Sequence, residues 1–290
     1  MAKAAPSSTE PHIPFPSLMN GYYRWKPYPV RTILLCGSHK REHLYTAQLH
    51  MGLSGRSPLK FKPGVILYNG TSNNKPILAA TGWKSGLASE FYMFDANSVV
   101  YMPPVEVSGD GEVGKKMVKE YMRATTRAPE DGYSGAKDGV AFQFSIEVGE
   151  ARRRERFEWR KLRKEDGETD DAVQDAEARA GGFKLVRLYR REDDGPLGGG
   201  QDEPSAISAS GGGGPELQTE TVAVLAWTKG SSWFVHAFSL RLGNGQSNTE
   251  TLGKRWALMA VITALRIWML HSAGETSRGF IRTGEKLRGE

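Results

Sequence analysis

The segment WALMAVITALRIWML, Trp256 to Leu270, is apolar on nearly every helical face and is interrupted only by Thr263 and Arg266. A helix of this kind is either a core element or a membrane span. A run of about 15 residues at about 1.5 Å each covers roughly 22 Å, short of the roughly 20 residues a bilayer requires. Arg266 would add a penalty of about 2.5 to 3.5 kcal/mol near a bilayer centre. The segment therefore reads as a core helix, with Trp256, Leu258, Met259, Ile262, Leu265 and Trp268 as its buried residues. Ser247 and Glu250 have capping-box spacing and set its start. Gly274 supplies its stop.

Upstream of this helix the hydrophobic period changes to two, the signature of strands. Thr32 to Cys36 is a first apolar run. In His43 to Met51, Tyr45, Ala47, Leu49 and Met51 share one face. Val65 to Tyr68 and Pro76 to Thr81 flank a hairpin-like loop containing Asn69-Gly70, and Glu90 to Phe94 with Ser98 to Met102 form a further pair. Val140, Phe142, Phe144, Ile146 and Val148 alternate in the clearest strand of the chain. Phe157 and Trp159, then Phe183 to Arg190, continue the pattern, and Thr221 to Thr228 with Trp233 to Arg241 make a hairpin before the helix. Lys115 to Thr125 reads differently, as a short helix with Met117, Val118, Tyr121 and Met122 on one face.

About eleven strands followed by one buried helix predict a mainly β fold, a closed antiparallel barrel of about 11–12 strands around a central C-terminal helix. The lengths agree. A nine-residue strand at about 3.3 Å per residue, tilted about 40°, rises roughly 23 Å along a barrel axis. Residues 1–29, rich in Pro and Ser, are expected to form an irregular N-terminal arm, residues 30–274 the barrel, and residues 275–290 a polar tail. Two insertions, 165–182 and 192–214, are acidic or Gly-rich and are expected to be disordered.

Composition narrows the function classes. The 290 residues are 39% hydrophobic, enough for a sizeable core, and carry a net charge of +6, which attracts anionic partners without naming one. A single cysteine, Cys36, forbids an intramolecular disulfide and suits a reducing compartment. The N-terminus has no continuous apolar run of signal-peptide type. Cytosol or nucleus, with peripheral membrane contact, is the expected location; secretion and a transmembrane segment are not.

Four stretches follow one another along the chain: HLYTAQLHMGLSGRSPLKFKPGVILYNGTSNNKPILAATG, FEWRKL, GFKLVRLYR and the terminal RWALMAVITALRIWMLHS. With their order, they resemble a fungal-like member of the tubby C-terminal-like superfamily, which includes tubby proteins, the LURP-one-related proteins and the phospholipid scramblases. The resemblance covers residues 30–274 and rests on architecture and texture. It implies a closed barrel threaded by its C-terminal helix, no catalytic site, and membrane-surface binding of the phosphoinositide kind. It carries over no individual residue.

Lys115, Lys119 and Arg123 fall at i, i+4 and i+8 and make a basic stripe on the expected helix, a candidate surface for anionic lipid headgroups. Gly109, Gly111, Gly114 and Lys115 fit a phosphate-cradling loop in part, but Lys116 stands where a P-loop needs Ser or Thr, and Asp110 and Glu112 would repel phosphate. The run from Arg152 to Lys164 is basic but diluted by Glu155 and Glu158, so no specific nucleic acid is expected. Cys36, His39 and His43 lack a fourth ligand for zinc, and no metal or other cofactor is expected. His236, between Phe234 and Phe238, reads as a core histidine rather than a base. The expected function is a non-enzymatic, monomeric barrel that works as a peripheral membrane, phosphoinositide-binding or signalling adaptor module. The alternatives are an intracellular scaffold that binds a protein partner through its insertions, and nucleotide or phosphate binding at Gly109 to Lys115.

Overall fold

A computed structural model describes residues 10–24, 32–53, 55, 57–84, 96–104, 117–126, 139–190, 217–229, 235–243 and 246–289. Its strands are β1 (Leu18–Arg24), β2 (Thr32–Cys36), β3 (His43–His50), β4 (Gly64–Tyr68), β5 (Ile77–Trp83), β6 (Ser98–Met102), β7 (Val118–Thr125), β8 (Ala141–Val148), β9 (Arg153–Lys161), β10 (Gly182–Arg190), β11 (Leu217–Trp227) and β12 (His236–Leu242). The helices are α1 (Asp166–Thr169), α2 (Asp175–Ala180), α3 (Gln246–Ser272) and α4 (Arg278–Leu287).

Each strand pairs antiparallel with its neighbours in the chain, and β1 closes the ring by pairing with β12 through Met19↔Leu240 and Asn20↔Ser239. The twelve described strands thus form one closed barrel. Alternation delivers one face of every strand to the interior. Phe142, Phe144 and Ile146 of β8, Phe157 and Trp159 of β9, and Phe238 and Leu240 of β12 all join the core that contains α3.

The helix α3 touches β4, β5, β6, β8, β11 and β12, strands spread around the ring. From Trp256 to Leu270 its side chains are buried except for a partial opening at Met269. Each large apolar side chain removed from water there contributes roughly 1.5 to 3 kcal/mol. Each of its two polar interruptions has a hydrogen-bond partner on the barrel wall. Thr263 accepts the Trp159 indole N–H at 3.0 Å, and Arg266 donates through Nε to Ser98 Oγ at 2.9 Å.

The predicted stop at Gly274 is present as a left-handed residue with φ +78. Gly274 N bonds His271 O at 3.0 Å and Glu275 N bonds Leu270 O at 2.8 Å, the paired closure of a Schellman turn. That turn brings the Glu275 carboxyl back toward Arg266 and Trp83. Burial pushes Glu275 up in pKa, with Arg266 and Trp83 opposing.

Five expectations are corrected. The helix expected across Lys115 to Thr125 is strand β7: Val118, Glu120, Met122 and Ala124 are the less exposed set, while Lys119, Tyr121 and Arg123 face outward. Residues 1–29 are not wholly an irregular arm, because Leu18–Arg24 is the strand that closes the barrel. Insertion 165–182 is ordered: Val173 and Ala178 pack with Leu162 and Val224, Asp166 and Asp170 engage Lys184 at 3.0 and 2.8 Å, and Glu177 engages Arg241 at 2.5 Å. Segment 275–290 is not a polar tail throughout, since it contains α4. The core helix is also not continuous from Ser247, because Gly253, at φ +87 and ψ 167, breaks it from the preceding turn. The strand expected at Glu90 to Phe94 and the insertion 192–214 lie outside the described residues.

Candidate functional site

Antiparallel neighbours in chain order make the connections alternate between the two ends of the barrel. The links β1–β2, β3–β4, β5–β6, β7–β8, β9–β10 and β11–β12 share one end; the remaining links share the other. The helix α3 enters at the second end, where Leu252 O accepts Gly149 N of the β8–β9 turn at 3.2 Å, and leaves at the first. The exit end therefore gathers the β3–β4 loop, the end of β5, the end of β7 and the start of α4.

The β3–β4 loop carries the most exposed apolar side chains of the described chain. Leu53 is 81% exposed, Phe61 59% and Met51 53%, and Tyr121 on β7 is 54% exposed. The loop is nevertheless held in place. His50 Nε2 donates to Lys60 O at 2.6 Å, Lys62 N bonds Leu59 O at 3.1 Å, and Gly52 turns the chain at φ +77. Leu59 is buried on the barrel's outer wall with Ile66, Tyr68, Ile77 and Ala80. With Leu59 used as the anchor, Leu53 and Phe61 stay in solvent.

Cations surround this apolar tip. Lys62 Nζ reaches Lys84 O at 2.6 Å, Trp83 N bonds Pro63 O at 3.2 Å, and Lys84 Nζ lies 6.0 Å from the Tyr121 ring centroid. Tyr121 stands between Lys119 and Arg123 on the outward face of β7. From His43 to Ser89 the sequence contains neither Asp nor Glu. Among the described residues of β3 to β7 and their links, Glu120 is the sole carboxylate, and it is buried. The acidic α1–α2 insertion packs outside β10, β11 and β12, half a ring away from β4 to β6. Among the described residues, the exposed charges of β3 to β7 are basic, and the acids of α1–α2 lie on the opposite side of the ring.

The predicted stripe is only partly brought together. Lys119 and Arg123 share a face, by the two-residue period of a strand rather than by helical spacing, while Lys115, Gly109, Gly111 and Gly114 lie outside the described residues. Leu53, Phe61, Lys60, Lys62 and Lys84 were not singled out from sequence. The long acid-free stretch between Glu42 and Glu90 is the sequence signal that could have found them.

The entry end is chemically different. A cavity of about 240 Å³ lies there between Pro103, Gly149, Arg152, Gly253 and Lys254. Arg255 and Lys254 in its lining are engaged by carboxylates. Arg255 bonds Glu147 at 3.0 Å and Glu120 at 3.2 Å, Arg154 bonds the same two acids, and Lys254 lies 3.6 Å from Glu10. Burial pushes Glu147 up; its own backbone amide, Arg255 and Arg154 outweigh that and hold it below the usual carboxylate range. This is a neutralised ion network.

The other predicted residues have structural settings. Cys36 Sγ contacts Lys40 O at 3.3 Å, and His43 Nε2 donates to Tyr45 O at 2.9 Å. Burial lowers the pKa of His236, which stacks on Tyr22 at 4.8 Å. Among the described residues no group of three His, Cys, Asp or Glu is placed to hold a metal ion, and no helix is long and apolar enough to cross a membrane. No protein-family model, curated protein or solved structure matches the chain.

Proposed function

We propose that the protein is a non-enzymatic, tubby-like barrel that docks peripherally on anionic membranes, phosphoinositide-containing ones included. The observation that carries this reading is the exposed Met51, Leu53 and Phe61 tip beside Lys60, Lys62, Lys84, Lys119 and Arg123, on a wall whose described residues include no exposed carboxylate. Apolar side chains that enter the acyl boundary contribute roughly 1.5 to 3 kcal/mol each when fully buried, and each cation near an anionic surface adds about 1 kcal/mol. Either set alone gives weak, reversible attachment; together they give stable attachment. The closed barrel around a C-terminal helix supports the superfamily resemblance as the fold behind this role.

Vesicle co-sedimentation tests it. The full chain should bind vesicles containing phosphatidylserine or phosphoinositides and spare neutral phosphatidylcholine vesicles. The Leu53→Ser/Phe61→Ser variant and the Lys119→Gln/Arg123→Gln variant should each bind less at unchanged melting temperature. Equal binding by wild type and both variants, or no binding by wild type, would sink the reading.

A further inference from the structure

The helix α4 also lies at the exit end, and its attachment fixes which face it shows. Ser277 caps it by accepting Phe280 N at 3.3 Å. Ile281, Gly284 and Glu285 are buried, and the helix packs against β7. The Glu285 carboxylate accepts both the backbone N–H of Thr126, at 2.8 Å, and its hydroxyl, just past the end of β7. With that face committed, Arg278, Arg282 and Lys286 remain exposed on the other.

These three stand at i, i+4 and i+8. Each step of four residues turns the helix by about 40° beyond a full turn and advances it about 6 Å, so the cations form one continuous row roughly 12 Å long. Among the described residues none of the three has an ion-pair partner. This sets them apart from Arg154, Arg187, Arg241 and Arg255, whose guanidinium groups all meet carboxylates. The half-exposed Leu287 adds an apolar edge at the end of the row. The same strand, β7, carries Lys119, Tyr121 and Arg123 outward and receives α4 at its end, so the row continues the basic surface described above.

We infer that α4 is a second membrane-contact element, lying in the plane of the lipid headgroups, so that the barrel meets an anionic bilayer with the end from which α3 emerges. This rests on the membrane reading above and adds the orientation and a distinct set of contacts. The occupant is a phosphate-bearing lipid surface because a row of cations with no ion-pair partner among the described residues, at the same barrel end as exposed Phe61 and Leu53, complements both the charge and the apolar layer of a bilayer. A soluble polyanion offers no apolar layer for the aliphatic Leu53 and Leu287 side chains.

The test uses the full chain with phosphatidylserine vesicles and the variant Arg278→Gln/Arg282→Gln/Lys286→Gln, which leaves Ile281 and Glu285 in place. Affinity should fall about fivefold per neutralised cation, about a hundredfold in all, at unchanged melting temperature. A dye placed on Thr283→Cys should be quenched by brominated lipid on vesicle binding, while one on Lys254→Cys at the opposite end should not; Cys36 is buried and stays unlabelled. If wild type binds and the triple variant binds equally well, or if the Lys254 position is the quenched one, α4 has no such role and the loop reading stands. If wild type binds no vesicle, both readings fall together. Vesicles left unbound while RNA is captured by wild type and lost by the variant would reassign the row to nucleic acid and overturn the inference.

Discussion

Trp159 and Thr263 are hydrogen-bonded inside the barrel, the indole N–H donating to the hydroxyl oxygen at 3.0 Å, and both side chains are buried. Thr263 in turn donates to Met259 O at 2.7 Å. A wall strand and the central helix are thereby registered by a polar contact within an otherwise apolar core, where a lost partner is costly.

Thr263→Val keeps the shape of the side chain and removes the acceptor, so Trp159 is left with a buried unmatched N–H. Denaturant unfolding should show a loss of about 1 to 3 kcal/mol. Adding Trp159→Phe should cost less in the Val background than in wild type. Strict additivity of the two changes would show that the contact contributes nothing.

Leu265→Asp places a carboxylate on a face of α3 that is 1% exposed. Nothing there compensates an unpaired charge, and its burial exceeds the few kcal/mol by which domains of this kind are stable. The variant should be recovered unfolded or aggregated. A soluble product with wild-type circular dichroism and a cooperative melt would contradict the enclosed position of the helix.

Acid should weaken the fold through Glu147 and Asp170. Burial raises the pKa of Asp170, and Lys184, Thr221 and the Ala172 amide outweigh it, so its carboxyl, like that of Glu147, sits below the ordinary range. A carboxyl lowered in the folded state contributes stability that is complete above its unfolded value, about pH 4, and is lost as pH falls through the folded value. Glu275 has the opposite sign: raised by burial, its ionised form subtracts stability at neutral pH, and that penalty is relieved as pH falls toward the unfolded value. Melting temperature against pH should therefore drop steeply below about pH 4. Glu147→Gln should lower the neutral plateau and flatten the drop, whereas Glu275→Gln should leave the plateau level or higher. The reverse ranking of the two variants would refute these assignments.

Salt separates the two contributions to vesicle binding. Attraction between exposed charges is screened over about 8 to 10 Å at physiological ionic strength. Binding should weaken as salt rises, and Lys119→Gln/Arg123→Gln should have a shallower salt dependence than wild type. Leu53→Ser/Phe61→Ser should shift the curve without changing its slope. Parallel curves for all three proteins would remove the charged contribution from β7.

The barrel was readable because its inward residues are large and apolar at period two, as in Phe142, Phe144 and Ile146, and because α3 is apolar on all sides. Where the period was hidden, a polar residue occupied an inward position for a reason located elsewhere in the chain. Glu120 faces in on β7 because Arg255 and Arg154 neutralise it there, which left Met117, Val118, Tyr121 and Met122 to mimic a helix. Gly21 interrupts β1 because it sits opposite Phe238, whose ring fills the space a side chain would need. The acids of 165–182 resemble a disordered tract until Lys184 and Arg241 supply their partners. The basic surface was half legible: i, i+4, i+8 spacing was the right signal for a cationic helical row, and it belongs to Arg278, Arg282 and Lys286 rather than to Lys115, Lys119 and Arg123.

The pairing of β1 with β12 also governs how the molecule can be made. The ring's seam joins the first described strand to the last, so no closed cylinder exists until β12 has been added to the chain that begins with β1. The interior is filled by α3, which follows β12 in the chain, so the sheet must wrap around its helix rather than receive it afterwards. Contacts this distant in sequence slow folding and leave apolar strand faces uncovered meanwhile. A chain that stops before Trp256 lacks the helix that fills this interior, so its inward apolar strand faces are left without their cover.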